Sequence, residues 1–138
     1  MASRLNPYFS FDGNAREAME FYRDVFGGEL KITTFGEAGA ASDGNADQVM
    51  HAMLETPSGY TVMASDNPPG AQFKPGSTIS ISVSGDDAAE LQGYWKLLAE
   101  SGSILMPLEK QMWGDDFGMC VDRFGIIWMV DIVGSPQG

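Results

Sequence analysis

The sequence predicts an α+β chain made of two βαβββ half-units, and three observations carry that prediction. Two apolar runs, Val49 to Glu55 and Tyr60 to Ser65, are joined by Thr56-Pro-Ser-Gly59, and a second pair, Phe117 to Val121 and Ile126 to Ile132, by Asp122-Arg-Phe-Gly125. Short loops ending in Gly between β-favouring runs mark antiparallel turns. Ahead of each hairpin stand a strand pattern, a helix pattern and another strand pattern, so the order of elements repeats. Laid side by side, Ala18-Met-Glu-Phe-Tyr22 falls on Leu91-Gln-Gly-Tyr-Trp95 and Gly59 falls on Gly125, with the longer pre-hairpin loop in the first half. Weak similarity in letters with agreement in order points to an internal duplication.

Each element has a local reason. Leu5 to Phe11 reads as a strand through Tyr8, Phe9 and Phe11, with Pro7 suited to its start or to an edge. Asn14 is placed to cap a helix over Ala15 to Phe26, with Glu17 three residues on, and Ala18, Phe21, Tyr22, Val25 and Phe26 recur at helical spacing. Gly27-Gly28 ends that helix, and Glu29 to Phe35 follows as a strand. Gly36 to Asp47 has no periodicity and reads as a loop. Asp66 to Gly76, with three prolines, reads as a stiff connector between half-units spanning about residues 5–66 and 77–133, with 67–76 as the linker.

In the second half, Ser77 to Ser84 alternates Ile79, Ile81 and Val83 with serines, the pattern of a strand buried on one face. Asp87, with Glu90 in the capping-box position, starts a helix whose apolar face is Ala88, Leu91, Tyr94, Trp95 and Leu98. Ser103 to Met106 is a short strand ended by Pro107, and Leu108 to Asp116 is a loop carrying Trp113.

At 138 residues the chain has the size of one domain, here made of the two half-units. Its hydrophobic fraction of 43% is that of a globular protein, and no apolar stretch nears the roughly 20 residues of a spanning helix. The N-terminus has no signal-like apolar core and the lone Cys120 cannot pair internally, so a cytoplasmic protein with no membrane partner is expected. A formal charge of −11 would repel phosphate, which argues against nucleic acid as a partner.

The repeat, with Phe21 to Gly27 in its first helix, resembles the vicinal oxygen chelate superfamily of glyoxalase I, extradiol dioxygenases and antibiotic-resistance proteins. Asn6-Pro-Tyr-Phe-Ser-Phe11, Glu17-Ala18 with Phe21-Tyr22, Met50-His-Ala52, Ser65-Asp66, Trp113-Gly-Asp115 and Asp122-Arg-Phe-Gly125 followed by Trp128 narrow the resemblance to its PhnB-like branch. Members of that branch have often carried the name of a demethylubiquinone methyltransferase. No glycine-rich loop with an acidic ribose partner, of the kind a methyl-donor nucleotide site would use, stands out in the sequence. The resemblance implies a glyoxalase-like curled mixed sheet with a helix per half, concave faces forming one cavity, and a homodimer.

Metal-dependent members of the superfamily take His, Gln or Glu ligands from the first and last strand of each half. The corresponding places here fall near Pro7 and Ser80 and at Met63 and Met129. Enolate or peroxide chemistry needs a divalent ion held by oxygen and nitrogen donors, for which thioethers are poor substitutes, so no metal and no cofactor is expected at the cavity. Strand parity puts Thr61, Met63 and Ser65 of one half and Ile127, Met129 and Asp131 of the other on cavity-facing positions, mostly apolar with a few polar points. Trp128 has the opposite parity and belongs to the core.

Other residues have two readings each. His51, the only histidine, is a candidate general base or a hydrogen-bonded strand histidine. Trp113 is a dimer contact or a lid over a flat ligand. Asp66 and Asp131 have structural places near strand ends, or acid–base work if close together, and Cys120 reads as buried and inert. The expected function is metal-free binding of a small organic molecule, with any catalysis open. The alternatives are a divalent-metal enzyme of glyoxalase or dioxygenase type and a protein sequestering a cationic antibiotic.

Overall fold

The computed structural model describes residues 5–39, 45–67 and 79–134. The chain divides into two compact units, Met1–Lys74 and Pro75–Gly138. Unit 1 runs β1 (Tyr8–Phe11), α1 (Ala15–Phe26), β2 (Glu29–Thr34), β3 (Val49–Glu55) and β4 (Thr61–Asp66). Unit 2 runs β5 (Ile81–Gly85), α2 (Ala88–Ala99), β6 (Ser103–Lys110), β7 (Asp116–Val121) and β8 (Ile127–Ile132). Both predicted helices and both predicted hairpins are present. Each unit is one four-stranded sheet, in the orders β1-β4-β3-β2 and β5-β8-β7-β6, with the first strand parallel to the last and the other pairings antiparallel.

The helices cover one face of their own sheets because their apolar residues form one stripe. Ala15, Ala18, Met19, Tyr22, Val25 and Phe26 of α1 are buried against a sheet face carrying Phe9, Phe11, Ala52, Leu54, Val62 and Ala64. In unit 2, Leu91, Tyr94, Leu98 and Ala99 of α2 are buried, as are Val83, Cys120, Trp128, Val130 and Ile132 of its sheet. Trp128 is therefore core, as its parity required.

The two hairpins are built alike. Gly59 and Gly125 adopt φ of 89° and 90°, where L side chains are strained. In both turns the Gly N–H donates to the carbonyl of the first turn residue, Thr56 or Asp122, at 3.0 Å. Gly28 and Gly102, just after the two helices, lie against the carbonyls of Glu55 and Val121, where any Cβ would collide with backbone.

Four expectations are corrected. The first strand begins at Tyr8 rather than Leu5, which is 99% exposed and has nothing to pack on. Asn14 makes no side-chain cap; Asp66 from β4 takes that role, its Oδ1 accepting the N–H groups of Gly13 and Ala15 at 2.9 Å. β5 starts at Ile81, leaving Ile79 79% exposed. The strand after α2 continues through Pro107 to Lys110, because Pro lacks only a donor that an edge strand can lose, and register shifts flank Met106. Residues 40–44 of the predicted loop, residues 68–76 of the connector, and Ser77 and Thr78 lie outside the described residues.

Candidate functional site

In a strand successive side chains alternate faces, and directly paired residues share one. On unit 1 the face away from α1 therefore carries the row Tyr8, Met63, Met53 and Lys31, fixed by pairings across all four strands. Thr61 and Ser65 flank Met63 on β4, and His51 lies two residues from Met53 on β3, so all are on this face. Most of these residues are half-buried although no segment of α1 covers them. The Tyr8 hydroxyl lies 3.4 Å from His51 Nδ1, with ring centroids 6.0 Å apart. His51 is thus a partnered strand histidine, and Tyr8 is the partner that sequence could not assign.

Unit 2 repeats the arrangement with different chemistry. Its row is Ser82, Met129, Met119 and Met106. Ile127 and Asp131 flank Met129 on the same face, and Phe117 is paired with Asp131. Trp113, 59% exposed, packs edge-on against Phe117 with centroids 6.0 Å apart. The fold therefore brings Trp113 close to the Asp131 end of that face.

Asp131 is the electrostatic anomaly. Its Oδ1 is buried and meets no hydrogen-bond donor. Burial, then a hydrogen bond to Asp115 and that residue's charge, push its pKa up. Two carboxylates are both acceptors, so the contact becomes a bond only when one carries a proton. Asp115 Oδ1 also accepts the Gly134 N–H at 3.0 Å, which favours leaving the proton on Asp131.

The other singled-out residues are structural. Asp66, 2% exposed, also accepts the Val49 N–H through Oδ2 at 2.9 Å, so it ties α1 to β3 rather than meeting a ligand. Cys120 is fully buried, and burial, then the charge of Asp122, push its thiol up to about 11; the nucleophilic thiolate is suppressed.

A family model described as 3-demethylubiquinone-9 3-methyltransferase matches residues 3–131. The chain belongs to that family. Among solved structures, protein PA1353 from Pseudomonas aeruginosa is 38% identical, with a TM-score of 0.88 over 97% of this chain and 100% of that one. A PhnB protein from Bacillus cereus is 26% identical, with a TM-score of 0.75 over 95% of this chain and 100% of that one. A glyoxylase/bleomycin resistance protein/dioxygenase domain from Frankia sp. EAN1pec matches at TM-score 0.66 and 12% identity, over 96% of this chain and 98% of that one, a likeness of fold alone. The PhnB-like resemblance and the glyoxalase-like α+β fold read from the sequence are both met.

The wider superfamily implies a divalent ion, and the residues at its ligand places do not fit one. The Pro7 carbonyl is taken by the Met63 N–H at 3.0 Å, and Ser80 Oγ donates to Met129 Sδ at 3.1 Å. The remaining donors there are thioethers, which are poor ligands for divalent ions normally held by nitrogen and oxygen donors. Among the described residues no group of three or more His, Cys, Asp or Glu could hold a metal.

Sequence reasoning missed Tyr8, Met53, Met119 and Phe117. The signal for Met53 and Met119 was present, since each hairpin turn fixes which residue opposes Met63 and Met129.

Proposed function

We propose that this PhnB-like protein binds a small organic molecule on the sheet faces turned away from the helices. The observation that carries the reading is the row Tyr8–Met63–Met53 with His51 beside it, a half-buried thioether surface with a phenol and an imidazole at one side. Met surfaces adapt to irregular or flat apolar ligands and favour aromatic rings, while a few polar groups fix orientation. Thr61 and Ser65 supply further hydroxyls. In unit 2, Ile127, Met129 and Asp131, with Trp113 at the end, are the matching candidates.

The test is a panel of small aromatic and aliphatic compounds screened against protein labelled with ¹³C at its Met methyls. Binders should move the Met53 and Met63 signals, and Met63→Ala should weaken them about tenfold or more. A panel that leaves these signals unmoved at millimolar concentration would reject the reading.

We propose further that the protein is a cytoplasmic homodimer; the dimer is supported by β6, whose Ile104, Leu105 and Met106 are 54%, 53% and 39% exposed on an edge strand. An exposed apolar edge invites pairing with a second copy. Sedimentation should give a dimer for the native chain and a monomer for Leu105→Lys; a native monomer at micromolar concentration would reject it.

A further inference from the structure

Three soft or borderline donors stand together on unit 1 with no part in its core. Met53 and Met63 are directly opposed across β3 and β4. His51 is two residues along β3 from Met53, hence on the same face, and all three are half-buried. Directly opposed Cβ atoms lie ~5 Å apart and diagonal neighbours ~7 Å apart, so two flexible thioethers and one imidazole can reach a common point above β3 and β4. Tyr8 engages His51 through Nδ1, which leaves Nε2 for a ligand. Ligating imidazoles are characteristically held through their other nitrogen by such a partner.

Thioether sulfur with imidazole nitrogen is a donor set for a soft ion, and Cu(I) is the biological metal that takes both. We propose that His51 Nε2, Met53 Sδ and Met63 Sδ form a Cu(I) site oriented by Tyr8. The character that disqualifies Met63 for a hard divalent ion is what selects this one, and two of the three donors come from β3. The inference does not need the organic-ligand reading, although sharing His51 and Met63 makes the two ligands competitors. Unit 2 is an internal control because of its Ser80 contact rather than its lack of an imidazole: Met129 Sδ already accepts from Ser80, so only Met106 and Met119 of its thioether row remain to ligate, one donor fewer than in unit 1.

The experiment titrates the full chain, in a Cys120→Ala background that removes the thiol, with Ag(I) in chloride-free buffer and with Cu(I) anaerobically against a chromophoric chelator. Met methyl signals are followed throughout. One ion per chain should bind, moving the Met53 and Met63 methyls and leaving those of Met106, Met119 and Met129 in place. Met63→Leu and His51→Gln should each weaken Ag(I) binding at least tenfold, and Tyr8→Phe by roughly tenfold, the usual effect of losing an orienting partner. Leu conserves the volume of Met, and melting curves report whether each variant is folded. Unchanged affinity in folded Met53→Leu/Met63→Leu protein, or shifts confined to the unit 2 methyls, would overturn the proposal. A protein that binds Ag(I) but no organic compound would reject the previous reading and keep this one, and the reverse result would do the opposite.

Discussion

The two units share an element order, a sheet topology and a hairpin geometry, yet each places its buried carboxylate clamp at the opposite end of the last hairpin. In unit 1 the clamp is Asp66 at the end of β4, which accepts three backbone N–H groups, from Gly13, Ala15 and Val49. The unit 2 residue in that place is Ile132, and there α2 is capped locally by Asp87, whose Oδ1 accepts the Glu90 N–H at 3.1 Å. In unit 2 the clamp is Asp122 at the hairpin turn, which accepts the Phe124 and Ile126 N–H groups and the Trp128 indole N–H at 2.8 Å. Its unit 1 counterpart, Thr56, accepts the Tyr60 N–H at 3.0 Å. Each unit of this chain thus uses one buried carboxylate to satisfy donors that close packing removes from water, and the two units place it at opposite ends of the hairpin.

The sharpest test of that difference is Asp66→Ala. It strips an acceptor from three donors, two of them at the positive end of α1, and leaves them unsatisfied in the interior. A loss of about 3 kcal/mol or more is expected in urea unfolding, from the cost of leaving charged hydrogen bonds unmade. Hydrogen exchange should quicken first at Gly13, Ala15 and Val49. Equal acceleration in β7 and β8 would show that the clamp does not belong to unit 1 alone.

Asp122→Ala follows, at roughly 2 to 3 kcal/mol, because it leaves a buried indole N–H and turn amides without an acceptor. The Trp128 indole proton is the readout, and it should lose its protection while the α1 amides keep theirs. Removing the Asp122 charge should also lower the Cys120 pKa, part of whose rise to about 11 comes from that charge. Asp87→Ala should cost only about 1 kcal/mol, the usual worth of a local N-cap. If it cost as much as Asp66→Ala, the distinction between a remote clamp and a local cap would fall.

The same contrast shows what could be read from the letters. Asp87 was legible because an N-cap and its N3 partner are three residues apart, whereas Asp66 reaches Ala15 across 51 positions of sequence. Glu90 also accepts from the Tyr94 hydroxyl one turn further along α2. The hairpins and the parity of Trp128 followed from local turn chemistry. The strand through Pro107 did not, because a proline on an edge looks like a terminator until the strand order is known. At the candidate site His51 and Met63 were visible, but Tyr8 joins them only through the parallel pairing of β1 with β4. That pairing is made between elements separated by a helix and two strands, and no local pattern encodes it.

The smallest effect separates the two helix-free faces by their response to pH. Unit 1 presents an imidazole there, while unit 2 presents Asp131, whose buried oxygen lacks a donor and whose pKa is raised by burial and by Asp115. An acid with a folded pKa above its unfolded value of 3.8 favours the folded state when protonated, and that advantage disappears as pH rises through the folded pKa. Native protein should therefore lose stability relative to Asp131→Asn between 3.8 and the folded pKa. At pH 7 the Asn variant should be the more stable, by about 1 kcal/mol, the cost of a buried polar atom without a partner. Below pH 3.8 the two proteins should converge. Asp115→Asn should reproduce part of the gain, since it removes the neighbouring charge while keeping an acceptor for the Gly134 N–H. If Asp131→Asn were instead the less stable protein at pH 7, Asp131 would be a satisfied carboxylate, and the contrast between the two faces would have to be drawn without it.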